Sequence, residues 1–187
     1  MKFSTNWHFN NTVCELTPKK IEDKRGFFSE VYHQHFFEEI GIKEQFIQEN
    51  YSYSKKQFTF RGLHFQNPPF EQAKLVRVLK GSVLDIVVDL RENSDSYLQH
   101  KIFELSQKNF KQVFIPVGFA HGFLTLEKDC EISYKVTNIY DAASDISLSV
   151  FDEALDIEVP CSRDQITLSD KDKNAKSIKT LDKLFFI

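Results

Sequence analysis

The chain has 187 residues, of which 41% are hydrophobic and 27% are charged. These proportions are typical of a globular domain with its own core, and they exclude a disordered or collagen-like chain. The net charge is −3 and no basic block occurs, so the sequence predicts no nucleic-acid partner and no binding to an anionic membrane.

The cysteines, Cys14, Cys130 and Cys161, show no CxxC or metal-finger spacing. Free thiols are typical of a reducing compartment, so we expect a cytoplasmic protein. The N-terminal string MKFSTNWHFNN lacks the apolar region of a signal peptide. No apolar run in the sequence approaches the roughly 20 residues of a membrane helix.

The N-terminal region is expected to form an arm over residues 1–44. Within it, KRGFFSEVY predicts a tight turn that leads into an aromatic strand, and residues 33–41 predict a short helix that ends at Gly41. The alternating pattern of residues 45–52 then indicates a strand.

Short strands separated by turns follow up to residue 159. They are predicted at 58–65, 75–79, 82–90, 101–105, 112–115, 122–126 and 131–138. Asp85 and Asp89 interrupt the apolar run of the 82–90 strand. So many strands with regular turns indicate a sandwich or barrel, and the lack of intervening helical patterns argues against a parallel α/β sheet. After Pro160 the chain turns polar, and residues 169–184 are expected to form a helix with Ser169 near its N-cap.

Two histidines occur in recognisable contexts. His64 lies in RGLHFQ, and His121 lies in PVGFAHGF, which has the form P-x-G-x-x-H. Either residue alone could be a core histidine with satisfied hydrogen bonds. The second string resembles the second signature of the cupin superfamily, which implies an all-β, cupin-type double-stranded β-helix (a jelly-roll barrel) with short peripheral helices. The barrel core is then expected over about 45–160, with a helical tail at 161–187, in a single domain of residues 1–187.

The first cupin signature departs from the metal-binding form. Where metal-binding cupins carry H-x-H and then an acidic ligand, this chain has His64-Phe65-Gln66 and then Lys74. A lysine among the candidate ligands repels a divalent cation, and two imidazoles alone make a weak site. We therefore predict no metal and no cofactor.

Longer strings carry a more specific resemblance. RGLHFQ, AKLVRVLKGSVLDIVVDLR, QVFIPVGFAHGFLTL and YKVTNIY resemble the RmlC family, the dTDP-4-dehydrorhamnose 3,5-epimerases. KRGFFSEVY, FIQENYSYSKK and LSDKD also match, so the resemblance covers nearly the whole chain. It implies an isomerase that inverts C3 and C5 beside the C4 ketone of dTDP-4-dehydro-6-deoxy-glucose, on the route to dTDP-rhamnose.

The resemblance also implies catalytic roles. His64 matches the base, and Asp172 matches the aspartate that orients its ring, although Asp170 lies two residues away and the assignment depends on the spacing of LSDKD. Lys74 matches the lysine that holds the C4 oxygen as it becomes anionic. Tyr134 matches the acid on the opposite face, and an ordinary phenol keeps its proton at neutral pH.

The remaining matches concern binding of a nucleotide diphosphate sugar, and part of that pocket is implied to come from the arm of the other subunit of a homodimer. Glu30 and Asn50 could instead be ordinary turn or strand-edge residues. The matched residues are Arg61 for the diphosphate, His121 for the sugar, and Arg25, Glu30, Gln48 and Asn50 for the nucleotide pocket.

Two departures from the family pattern leave the substrate open. Residues 149–153 read SVFDE where the family has a WND-like string, and Ile139-Tyr140 stands where many relatives have two tyrosines. One alternative is a sibling epimerase that acts at one carbon only, or on another nucleotide-linked 4-keto sugar such as a GDP-linked heptose. The other is a non-catalytic, cupin-like module that binds sugar nucleotides.

Overall fold

The strands of residues 3–181 form two facing antiparallel sheets and one small hairpin. The structure is a computed structural model that describes residues 3–181. Within these residues the strands are β1 (Phe3–His8), β2 (Val13–Pro18), β3 (Ile21–Asp23), β4 (Gly26–Phe28), β5 (Gln48–Ser54), β6 (Phe60–Gln66), β7 (Lys74–Lys80), β8 (Ser82–Asp89), β9 (His100–Ser106), β10 (Gln112–Ile115), β11 (Phe119–Thr125), β12 (Cys130–Val136) and β13 (Asp145–Ser147).

The strand order is that of a jelly roll, which confirms the predicted fold class. One sheet has the order β1-β2-β10-β7-β12-β5, and the facing sheet has the order β13-β6-β11-β8-β9. Strands that are distant in sequence, such as β6 and β11, become neighbours because the chain crosses between the sheets. Strands β3 and β4 form the separate hairpin.

Part of the region expected to be an arm belongs to the barrel. Strands β1 and β2 pair with each other, and β2 pairs with β10, so the first strands extend the six-stranded sheet. The short apolar stretches of β1 and β2 carry little strand signal by themselves, and they are stabilised by packing on the sheet. The organisation of residues 1–187 as one domain stays a prediction.

Within residues 3–181, two α-helices flank the sheets, α1 (Gln34–Glu39) and α2 (Asp170–Lys173), and two single-turn 3-10 helices cover Arg163–Gln165 and Ile178–Thr180. The prediction of a helix over 169–184 was wrong in its length. Ser169 is the N-cap as expected, but α2 ends after one turn, and Lys176 then forms a bridge with Leu148. Residues 182–184 of that prediction lie outside the described residues. No helix within residues 3–181 has the length and apolar character to cross a bilayer.

The space between the sheets is filled by alternate residues of the strands. Val76 and Ile132 of the six-stranded sheet pack in one cluster with Val87 and Phe123 of the other. Intervening residues point outward, where α1 covers one sheet and the segment after β13 covers the other. The interior face is therefore apolar, except at the end of the barrel that carries the polar side chains described below.

A β-bulge at Gly62 determines which residues of β6 face the interior. His121 pairs with His64 and Phe123 pairs with Arg61, so two steps on β11 correspond to three steps on β6. Gly62 is the extra residue, with φ of +137°. Arg61 and His64 differ by three positions, yet the bulge turns both toward the same cavity.

The bulge also brings two backbones unusually close. A Cβ added to Gly62 would lie 2.4 Å from the Cα of Gly122 and 2.9 Å from the carbonyl oxygen of His121. Both neighbours are backbone atoms, which cannot rotate away. Only glycine therefore fits at this position.

We predict that Gly62→Ala lowers the free energy of unfolding by about 3 kcal/mol, because overpacking adds to backbone strain. Gly41→Ala is the matched control, since Gly41 also has positive φ (+97°) but has open space around an added Cβ. It should cost about 1 kcal/mol. Urea denaturation of both variants checks this, and equal losses would contradict the close-approach argument.

Candidate active site

The polar side chains gather around two adjoining cavities at one end of the barrel. One, of about 180 Å³, is lined by Arg61, His64, Lys74, His121 and Tyr134 together with Ser52 and Phe123. The other, of about 120 Å³, shares His64, Lys74 and Tyr134 and adds Gln48, Asn50, Phe65, Gln66, Gln72, Tyr140 and Asp145. Larger surface clefts exist, but the chemistry of these linings identifies the candidate site.

His64 and Asp172 form a hydrogen-bonded pair at the wall of the cavity. The Nε2 atom of His64 lies 2.6 Å from Oδ1 of Asp172, whose side chain is 3% exposed. Ser169 donates its hydroxyl to the second carboxylate oxygen at 2.8 Å and accepts from the Asp172 amide at 3.1 Å. A ring held through Nε2 presents Nδ1 as the nitrogen available for proton transfer.

The same contacts distinguish the two candidate aspartates. Asp172 is buried against His64, whereas the side chain of Asp170 is 96% exposed and pairs with Lys173. Burial alone would raise the pKa of Asp172. The hydrogen bond and charge of His64, together with the hydrogen bond from Ser169, instead hold that pKa below its usual value. Asp172 is therefore ionised at neutral pH, and it fits the role expected from the resemblance.

Lys74 projects from β7 of the opposite sheet into both cavities. Its ammonium group donates to the backbone carbonyl of His64, 3.3 Å away. Burial lowers the pKa of Lys74 to about 8, and the negative charges of Asp145 and Asp85 partly oppose that effect. The amine is thus mostly protonated at neutral pH and lies beside the His64 strand.

Tyr134 faces the cavity from β12, in the sheet opposite His64. It is paired with Asn50 of β5 in the strand register and forms a side-chain hydrogen bond with it. Burial raises the pKa of Tyr134 above its usual value, although Asn50 and the charge of Arg61 counteract part of the increase. The phenol therefore keeps its proton at neutral pH, as an acid opposite the base requires.

His121 has a buried partner that sequence analysis did not assign. Its Nε2 lies 2.8 Å from Oδ2 of Asp85, which is fully buried on β8. Burial lowers the pKa of His121 despite the opposing influence of Asp85. The signal for Asp85 was present in the sequence as a charge that interrupts an apolar strand, but nothing local to it indicates His121 as the partner.

Strand β11 begins earlier than predicted. The sequence pattern indicated 122–126, whereas the strand covers Phe119–Thr125 and therefore contains His121. The reason is that Gly118, with φ of +91°, completes the preceding turn and lets the chain extend from the next residue.

The binding residues divide into two groups. Arg61 donates to Ser54 and to the Tyr53 carbonyl at 3.1 and 3.0 Å, which fixes the guanidinium at the cavity. Gln48 and Asn50 line the same site and are hydrogen-bonded to each other at 2.7 Å. By contrast, the structure does not bring Arg25 and Glu30 to this cavity. Arg25 lies at the exposed turn of the β3–β4 hairpin and pairs with Asp23.

The position that carries a ligand in metal-binding cupins has a structural role here. Gln66 is buried, donates to the carbonyl oxygens of Phe70 and Ile139, and accepts from the Asp141 amide at 2.8 Å. It therefore holds two loops at the mouth of the barrel. In residues 3–181, no group of three or more histidine, cysteine, aspartate and glutamate side chains is arranged to hold a metal ion.

Comparisons with known proteins identify the family of this chain. Residues 10–180 match the family described as dTDP-4-dehydrorhamnose 3,5-epimerase. The protein of that name from Salmonella typhimurium strain LT2 is 48% identical over 152 residues, covering 81% of this chain and 82% of the relative.

Solved structures of related enzymes have the same fold. A dTDP-6-deoxy-D-glucose-3,5-epimerase from Legionella pneumophila, in complex with dTDP-4-keto-L-rhamnose, gives a TM-score of 0.92 at 36% identity and covers 98% of this chain and 97% of its own. A dTDP-4-dehydrorhamnose 3,5-epimerase from Bacillus anthracis, with TDP and PPi bound, gives a TM-score of 0.90 at 38% identity. The match covers 94% of this chain and 99% of the Bacillus anthracis chain. On these matches, the chain belongs to the dTDP-4-dehydrorhamnose 3,5-epimerase family.

Proposed function

We propose that this protein is an isomerase that inverts C3 and C5 of dTDP-4-dehydro-6-deoxy-glucose, with His64 as the base and Tyr134 as the acid. The observation that carries the proposal is the His64–Asp172 hydrogen bond, facing Tyr134 and Lys74 across the cavity. A module that only binds sugar nucleotides has no need for a base and an acid on opposite walls.

The chemistry begins with removal of a proton from a carbon beside the C4 ketone. Neutral His64 takes the proton, the electron pair moves to the C4 oxygen, and the resulting imidazolium is stabilised by ionised Asp172. The enolate oxygen needs a positive partner in a water-poor site, and the Lys74 ammonium supplies it. Tyr134 then protonates the carbon from the opposite face, and both groups regain their original protonation states by exchange with solvent.

The nucleotide diphosphate is proposed to lie between Arg61 and the polar residues of β5. The Arg61 guanidinium provides the positive charge that a diphosphate requires, and its contacts with β5 fix its direction. Gln48 and Asn50 supply amide groups on the same side of the cavity. His121, held by Asp85, would contact the sugar.

We further propose a homodimer in which Arg25 and Glu30 complete the pocket of the partner subunit. Support comes from the β3–β4 hairpin, which carries Arg25 away from the cavity of its own chain and exposes Ile21, Phe27 and Phe28. Exposed apolar side chains of this kind are typical of a surface that another chain covers. A cytoplasmic location is proposed because Cys14, Cys130 and Cys161 are all free thiols.

We predict that His64→Asn lowers kcat at least about 100-fold while leaving the fold intact, because the side chain performs chemistry rather than packing. The measurement is NMR of the sugar protons of dTDP-4-dehydro-6-deoxy-glucose in D2O. Deuterium should enter at C3 and C5 with the unaltered protein and at neither carbon with the variant.

His35→Asn is the matched control, since His35 is an exposed histidine on α1, and it should leave exchange unchanged. Exchange at one carbon only would assign a single-site epimerase. Full exchange with His64→Asn would contradict the assigned base.

We predict that Asp172→Asn lowers kcat about 100-fold or more, because an amide neither stabilises the His64 imidazolium nor fixes the ring tautomer. Asp170→Asn makes the same change two residues away, on an exposed side chain. It should retain full activity. Steady-state kinetics of the two variants, with circular dichroism as the folding check, separates the candidates, and the reverse ranking would refute the assignment.

We predict an alkaline limit to activity set by Lys74. Because its pKa is about 8, the ammonium fraction falls as pH rises through that value, and kcat/KM should fall about tenfold per pH unit above it. Tyr134 does not cause this loss, since its pKa is raised above the usual value of the phenol. Lys74→Met should show low activity with no inflection near pH 8, and an unchanged inflection in that variant would exclude Lys74 as its source.

A further inference from the structure

A carboxylate that sequence analysis did not assign lies at the mouth of the cavity. Asp145 begins β13, the edge strand beside β6, and its side chain is only 10% exposed. It lines the same cavity as His64, Lys74 and Tyr134. A carboxylate at this position repels an anionic nucleotide, so we expect a favourable interaction of Asp145 that offsets this repulsion.

Two side chains hold the Asp145 carboxylate in place. The ammonium group of Lys171 forms an ion pair with it, and Tyr140 forms a side-chain hydrogen bond with it. Lys171 belongs to α2 and directly precedes Asp172, the partner of His64. The pair therefore joins β13 to the single helical turn that carries the dyad carboxylate.

Several charged groups from different elements surround Lys74. Asp85 on β8 is bonded to His121 on β11, and Asp172 on α2 is bonded to His64 on β6. Tyr134 on β12 is a neutral phenol at physiological pH. Arg61 on β6 is a cation that lines one of the cavities shared with Lys74. Asp145 on β13 and its partner Lys171 on α2 are the charged pair at the cavity mouth, and Asp145 affects Lys74 more than Asp85 does.

We propose that Asp145 is a positioning residue for the oxyanion-binding group: its carboxylate, held by Lys171 and Tyr140, supplies the negative charge that keeps Lys74 in the ammonium form. The consequence for turnover rests on the function proposed above, but the ionisation of Lys74 does not. The role differs from substrate contact because it acts through Lys74.

The direction of each contribution supports the proposal. Burial lowers the pKa of Lys74 to about 8, Asp145 makes the largest opposing contribution, and Lys171 adds to the lowering. With a pKa this close to physiological pH, a change in either neighbour alters the ammonium fraction substantially. Removing Asp145 and removing Lys171 should therefore move the ionisation of Lys74 in opposite directions.

The test is the ionisation of Lys74 in the full chain, measured by competitive acetylation with isotopically labelled acetic anhydride from pH 6 to 11 and mass spectrometry of the Lys74 peptide. In Asp145→Asn the midpoint should move down by about one pH unit, the size expected on loss of a nearby opposite charge. In Lys171→Met it should move up. Asp170→Asn is the matched control, an exposed carboxylate next to Lys171, and should leave the midpoint unchanged.

Two outcomes overturn the proposal. An unchanged midpoint in Asp145→Asn removes the assigned charge effect. Shifts of Asp145→Asn and Lys171→Met in the same direction would mean that the cavity mouth has loosened, not that a charge was removed. If Asp145→Asn fails to fold, Lys74 titrates like a free lysine near pH 10.4. The direction in which the Lys74 midpoint moves in Lys171→Met then decides whether the proposal stands.

Activity provides the second readout. The alkaline limit of kcat/KM should move down in Asp145→Asn and return toward its original position in Asp145→Glu, which restores the charge. If the unaltered protein shows no epimerase activity but the midpoints shift as expected, the function proposed above fails and the role of Asp145 stands. If activity is present and the midpoints do not move, the role of Asp145 fails and the function stands.

Discussion

The burial of positive charge inside an apolar barrel is the constraint on which the site depends. Placing an ammonium group in such an interior costs several kcal/mol unless opposite charges accompany it. The chain offsets that cost for Lys74 with carboxylates from two separate elements, Asp85 on β8 and Asp145 on β13. Each carboxylate also holds a further side chain, so the groups that balance charge also fix geometry.

The two walls of the barrel have different chemical characters. The five-stranded sheet contributes both histidines, and each is bonded to an aspartate through Nε2. The six-stranded sheet contributes Lys74 and Tyr134, one a cation and the other a phenol whose proton is retained. A planar enolate between the walls would therefore meet a base on one side and an acid on the other. Because these groups are mounted on paired strands, little ordering is left to occur during the reaction.

Local patterns and motif strings were enough to predict the barrel and to select His64, Lys74, Tyr134 and Asp172 as candidates, and the structure brings these four residues to one site. They could not predict contacts that depend on the long-range register. The Asp85–His121 pair forms only because β8 and β11 are neighbours, and the Gly62 bulge is visible only once β6 is aligned with β11. The prediction of a helix over 169–184 was too long for a related reason, since the bridge between Lys176 and Leu148 competes with helix formation after one turn.

The partner of the proposed base comes from a distant part of the chain. His64 and Asp172 are 108 residues apart, and Asp172 reaches the histidine only when the segment after β13 has packed on the outer face of its sheet. Formation of the dyad therefore depends on a long-range contact, whose loop-closure entropy opposes its formation. A chain clipped before Asp172 would lack the carboxylate that the proposed base requires, so under the proposed function enzyme activity would report that this segment is present.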